Sequence, residues 1–394
     1  MLSFFSSDDA RRNPYPMYDQ MRRSSPVLHV PQANLWMLFD YPSVRRALQD
    51  HETFSSDLSL AGHGTLGWLI FSDPPRHTKL RALITRAFTP RAVASLEPRI
   101  RELARALLDQ RMGHDTLDLV NDFSVPLPLM VIAELLGAPA ADWPQFKLWS
   151  DVIVALSETV AGGAAAMEAV GAFRGVHGEM SVYLTGLVEQ RRSAPTDDVL
   201  SKLIAAEVDG ERLTEDELLG FFQLLLLAGH ETTTNLIDNA FLCLGAHPEQ
   251  QARLRAEPTL LPGAIEEVLR YRSPVQAMFR ATRHEVELHG QVIPPRSLVL
   301  AMIGSANHDP AQFHDPDRFD ITRDPNPHIA FGHGIHFCIG APLARLEARI
   351  ALAELLARLP SFELTSDSPW EPRKAFHVHG PTRLDIRFGT AAPA

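Results

Sequence analysis

Cysteine is nearly absent from this chain, with 2 in 394 residues. Two thiols build neither a disulfide framework nor a zinc or iron–sulfur site that draws several cysteines at ligand spacing. Positive charge is also short: 37 Lys and Arg stand against 48 Asp and Glu, a net charge of −11. That balance argues against a general attraction to nucleic acid or anionic lipid. Apolar runs such as Leu224–Gly229 and Leu298–Ile303 fall far short of the roughly 20 residues of a membrane-spanning helix. The first residues run into Asp8 and Asp9 without the basic and then apolar stretches of a secretory signal. The expectation is a soluble cytoplasmic protein without a nucleic-acid or membrane partner. Internal repeats and low-complexity linkers are missing too, so the chain reads as one large domain over 1–394.

What is present is mostly amphipathic helix. Val93, Leu96, Ile100, Leu103, Leu107 and Leu108 recur at three- and four-residue steps within Arg91–Arg111, where Pro98 marks a bend or break. Similar patterns cover Val125–Leu136, Ala165–Arg191 and Ala341–Leu359. Strand signals are few: Leu35–Phe39, and a hairpin about His289-Gly290. The fold class is mainly α with a minor β part. One helix stands out, starting at a Thr214-x-x-Glu217 capping box and running to about Ala246, some 48 Å at ~1.5 Å per residue. Its middle reads FFQLLLLAGHETTTN, an apolar run broken by Gly229, Glu231 and three threonines. Such residues are poor choices for a helix that only packs.

Phe331-Gly332-His333-Gly334-Ile335-His336-Phe337-Cys338-Ile339-Gly340 precedes the Ala341 helix. Its glycines let backbone approach a flat partner closely. Cys338 lies just before a helix N-terminus, where N–H groups and the dipole favour a thiolate, whereas Cys243 sits in an apolar stretch and reads as a small buried hydrophobe. A lone thiolate suits a haem, whose porphyrin supplies the other four ligands. The pattern F-G-x-G-x-H-x-C-x-G resembles the haem loop of cytochrome P-450, and further landmarks follow in the family's order along nearly the whole chain.

The resemblance implies the cytochrome P-450 fold, haem b (iron protoporphyrin IX) as cofactor and Cys338 as its axial ligand, with Phe331, Gly332 and Gly340 cradling the ring. Ala228-Gly229-His230-Glu231-Thr232-Thr233 matches the oxygen-activation segment, in which Ala228 and Gly229 open a groove beside the iron. Thr232 and Glu231 become the alcohol and acid that deliver protons from solvent. His77, Arg81, Arg280 and His336 match the residues that clamp the haem propionates. Glu267-x-x-Arg270 matches the family's structural ion pair, with Arg318 of Pro316-Asp317-Arg318-Phe319 as the second arginine. One departure is Asn307-His308-Asp309-Pro310, where the family commonly has an arginine in place of His308.

By the same resemblance the chain is a monooxygenase that places one atom of O2 into a hydrophobic small molecule. The pocket is expected at Leu69, Leu224, Leu227, Ala228, Val275, Met278 and Phe376, with the Ala- and Gly-rich Val160–Gly171 as a lid. No flavin or nicotinamide fingerprint is visible, so electrons are expected from a ferredoxin and a ferredoxin reductase acting on a monomer. Lys79, Arg86, Arg91 and Arg345 would form the docking patch. A peroxide-driven peroxygenase and a non-catalytic haem-thiolate sensor are the alternatives; neither requires the Glu231–Thr232 pair.

Overall fold

The computed structural model describes residues 5, 7–31, 34–63, 67–111, 114–157, 164–359, 361–365 and 369–388. Its organising element is the helix Glu215–Ala246, 32 residues long. The capping box forms as expected: Glu217 N donates to Thr214 Oγ1 at 3.2 Å, and Thr214 N donates to Glu217 Oε2 at 3.0 Å. Against this central helix pack Pro126–Leu135, Trp143–Ser157, Leu261–Tyr271 and Ala341–Arg358. Phe222, Phe241 and Ile237 are fully buried at that junction, and each contributes about 1.5–3 kcal/mol of transfer free energy. Among the described residues no helix is long and apolar enough to cross a membrane.

The expected helix over Arg91–Arg111 is two helices, Pro90–Ala94 and Glu97–Asp109. Pro98 sits in the first turn of the second, where its missing N–H costs nothing. The β part is larger than expected. In a five-stranded sheet Val27–Val30 pairs antiparallel with Leu35–Leu38, which runs parallel to Leu298–Ala301. Met278–Thr282 pairs antiparallel with Leu298–Ala301 and carries Phe54–Ser55 on its other edge. The hairpin Val286–Leu288/Gln291–Ile293 forms with His289 at φ 51° and Gly290 at φ 72°. The sheet brings Arg280 and Met278 beside the central helix's cavity.

Candidate active site

The Cys338 loop is held by its own backbone. Cys338 N donates to Phe331 O at 2.9 Å. Gly332 and Gly334 adopt φ 76° and 74°, the left-handed region, and a Cβ on Gly334 would meet Gln49 Cα and Leu48 O at 2.9 Å. At the first turn of Ala341–Arg358 the N–H groups of Gly340 and Ala341 point at the Cys338 sulfur. Burial pushes this thiol up, while those N–H groups and the charges of Arg81 and Arg345 pull it down. A bound metal ion adds the charge that deprotonates a coordinating thiol outright. Among the described residues no three His, Cys, Asp or Glu side chains gather as a metal cluster. A metal at Cys338 must therefore bring most of its ligands with it.

Cys338 faces a cavity of about 250 Å³ that opens partly to solvent. Its far wall is the central helix, through Leu224, Leu225, Ala228, Gly229 and Thr232. Thr232 Oγ1 donates to Ala228 O at 2.6 Å, and Glu231 beside it is buried. Gly229 has a packing reason as well: a Cβ there would lie 2.9 Å from Ile132 Cδ1, so glycine lets the Pro126–Leu135 helix close in. One turn and a half earlier, buried Gln223 accepts from Trp68 Nε1 at 3.1 Å and lies 2.7 Å, through Nε2, from His177 Nδ1. That side chain ties the segment containing Leu69 and Ile70 to the Ala164–Ser193 helix.

At one edge of the cavity four nitrogen-bearing side chains converge. Arg81 Nη2 donates to Phe337 O at 2.6 Å, Arg280 Nη1 donates to Phe279 O at 2.7 Å, and the His77 and His336 rings lie 4.1 Å apart. His336 Nε2 is 2.9 Å from Ser56 Oγ. Arg280 is 2% exposed and His77 is 1% exposed, and His77 Nε2 has no partner among the described residues. Burial, then Arg81, pushes His77 down to about 4; burial, then Arg280, pushes His336 down to about 3; burial lowers Arg280 to about 10. Asp73, the nearest carboxylate to act on them, is engaged by Ser55, Ser56 N and Arg283. Buried cations without a counter-charge fit an external anion, and two propionates on a ring seated over Cys338 meet that need.

Three expectations need correction. Arg318 is not the second arginine: its side chain is 65% exposed and reaches Asp320, while its carbonyl accepts from Arg270 Nη2 at 3.1 Å. Arg323 takes that place, with Nε 3.2 Å from both Glu267 oxygens. Leu227 lies off the cavity's face of the helix, where Leu225 lines it instead; Phe376 stacks on Phe5 at 5.2 Å, away from the lining. Leu69, Leu224, Ala228, Val275 and Met278 do line it. The proposed lid falls partly on 158–163, outside the described residues. His308 in the arginine's place is buried, with Nε2 2.9 Å from Tyr271 O, Nδ1 3.1 Å from Asp317 and its ring 4.4 Å from Tyr15. Of the expected docking cations, Lys79 pairs with Glu211, Arg86 donates to Glu207 O, and Arg345 holds Glu266 at 2.7 Å while lying over Phe331.

A cysteine facing an apolar cavity, with a buried arginine and imidazole N–H groups lacking an anion at its edge, defines a haem-thiolate protein. The chain matches the family model described as Cytochrome P450 over residues 168–382. It is 43% identical over 363 residues to a putative cytochrome P450, YjiB, of Bacillus subtilis, across 91% of this chain and 90% of that one. The vitamin D(3) 25-hydroxylase of Pseudonocardia autotrophica is 39% identical over 96% of this chain and 94% of its own. The crystal structure of CYP109E1 from Bacillus megaterium in complex with testosterone is similar with a TM-score of 0.88 at 40% identity, covering 96% of this chain and 100% of that one. The chain belongs to the cytochrome P450 family. It is a monooxygenase acting on a small molecule, and its cofactor contains haem iron.

Proposed function

We propose that the chain binds haem b and places one oxygen atom of O2 into an apolar molecule of steroid size, by hydroxylation or epoxidation, with electrons from a separate ferredoxin and its reductase. The observation that carries this reading is the cavity's composition: apolar walls at Leu69, Leu224, Val275 and Met278, with the alcohol of Thr232 next to buried Glu231. The size of the substrate is argued from CYP109E1, solved with testosterone, and from the vitamin D(3) hydroxylase. Bound haem supplies the oxygen activation and the one-electron chemistry. Cys338 gives the thiolate ligand, and His77, Arg81, Arg280 and His336 hold the carboxylates of the ring. Arg280, already fully buried, then trades an uncompensated charge for a paired one.

Thr232 rests on the Ala228 carbonyl and turns to hold a proton toward the cavity when a better acceptor arrives. Glu231 passes that proton from the protein side. The chain acts as a monomer. Thr232→Ala is the test. Product per electron pair should fall steeply while hydrogen peroxide rises and the substrate-induced spectral shift is retained. Unchanged coupling would favour a peroxygenase, and ligand binding without product in either form would favour a sensor. The thiolate is checked apart: Cys338→Ala must abolish the red-shifted band of the reduced carbon monoxide complex.

A further inference from the structure

The central helix carries a second set of polar side chains, which do not line the cavity. At 3.6 residues per turn Glu231, Asn235 and Asp238 stand one above another on a single face. Asn235 and Asp238 are 0% exposed and Glu231 is 3% exposed. Facing them are Ser124, also 0% exposed, and Arg373, whose Nε donates to Asn235 Oδ1 at 3.2 Å. Thr234 Oγ1 donates to Ser124 O at 2.8 Å and pins the Val120–Ser124 turn to the helix. Among the described residues Asn235 Nδ2 is shielded from solvent with no hydrogen-bond partner, and the buried Asp238 carboxyl has the Ser124 hydroxyl as the side-chain hydrogen-bonding group acting on it. Apolar side chains would pack this face without leaving any such atom. Buried polar groups left over by the protein are satisfied by ordered water, which binds where two to four of them converge.

We propose that this stripe is a hydrated proton store behind the acid–alcohol pair, in which protonated Asp238 and water held by Ser124 and Asn235 resupply Glu231. The proposal rests on the reading of Glu231 and Thr232 given above. Burial pushes the Asp238 carboxyl up to about 8, against the pull of the Ser124 hydroxyl and the Arg373 charge, while Asp118 pushes it further up. His230, on the adjoining face, is pushed down to about 3 by burial and stays neutral, its Nδ1 2.7 Å from Ser150 Oγ. In the transfer only O–H bonds change. Asp238 gives a proton to water, water gives one to Glu231, and solvent refills Asp238 from the side of half-buried Arg373 and Asp118. Asp238 is thus a positioning and reservoir group that does not touch substrate.

Infrared spectroscopy of the haem-loaded full chain tests the store without turnover. A protonated-carboxyl band should be present at pH 7, shift in D2O, fade above pH ~9 and lose intensity in Asp238→Asn. Glu347, buried and also pushed up to about 8, contributes a second band, so the assignment rests on the difference spectrum. No difference between the two proteins overturns the proposal. If Asp238→Asn does not fold, Ser124→Ala takes its place, and an unshifted band in that variant overturns it equally. In turnover, Asp238→Asn should lower coupling by up to about tenfold at pH 8, less than the ~10²–10⁴ of a direct acid or base, and raise the solvent isotope effect. Thr232→Ala separates the readings. If it leaves coupling intact, the proton-delivery reading falls; if it uncouples and Asp238→Asn leaves the isotope effect unchanged, only the store falls.

Discussion

Two clusters of arginine and its neighbours, one around Glu267 and one around Arg280, are built on opposite principles. In the first, Glu267 accepts from Arg270 at 2.8 Å through both oxygens, from Arg323, from Asp320 N and from Asn326 Nδ2. Arg270 spends its other donors on the carbonyls of Asn307, Pro316 and Arg318. Every charge there has its partner within the chain. In the second, among the described residues, Arg280 donates to a neighbouring carbonyl and His77 Nε2 has no hydrogen-bond partner. A cluster that closes on itself holds a fold together; one left positive is waiting for an anion. The sequence signature of both is similar, a cation a helical turn from a partner, and only the inventory of counter-charges tells them apart.

That contrast predicts effects of different kind and size. Glu267→Ala strands buried Arg270 and half-buried Arg323, so it should cost about 3–5 kcal/mol and be visible as a lowered urea midpoint with or without haem. Arg280→Leu should do the reverse to the haem-free chain, leaving its midpoint unchanged or raised. The same substitution should speed haem loss to a scavenger protein by roughly 10–100-fold, the loss of one charge-assisted bond. An Arg280→Leu variant that unfolds like Glu267→Ala would erase the distinction between the clusters. His77 sharpens it through pH. Its folded form is neutral because burial pushes it down to about 4, whereas an unfolded chain protonates it near the ordinary value of ~6.5. The unfolded state therefore binds more protons in that window, and stability is lost as pH falls from about 7 toward 4. Melting curves of the haem-free chain should show this loss, and propionates should reduce it in the haem-loaded chain. The smallest effect is expected at Arg318→Ala, within about 0.5 kcal/mol, against a clear loss at Arg323→Ala.

The parts legible in sequence were those with a fixed local spacing. The capping box at Thr214, the hairpin at His289-Gly290 and the loop around Cys338 are each written in fewer than a dozen consecutive residues. Arg323 was not legible, because a turn after Phe319 sets which of two nearby arginines doubles back onto Glu267. Leu225 could have been found: Ala228, Leu224, Leu225 and Thr232 share an arc of a helical wheel from which Leu227 is rotated by about 100°. Asp238 carries its signal in the run NLIDNAFLCL, where it is the lone acid among mostly apolar residues. The five-stranded sheet was underread because its strands are two to five residues long, too short for alternation to register.

The side chain of Gln223 settles a question of proton bookkeeping at the rim. An indole N–H only donates, so the amide oxygen must face Trp68 and the NH2 must face His177. Nδ1 of His177 then has to accept, which assigns this imidazole its tautomer: the hydrogen sits on Nε2, toward the outside. The amide has no second orientation to fall back on, since turning it over would set NH2 against the indole N–H. One glutamine thus fixes donor and acceptor on two separate segments at once.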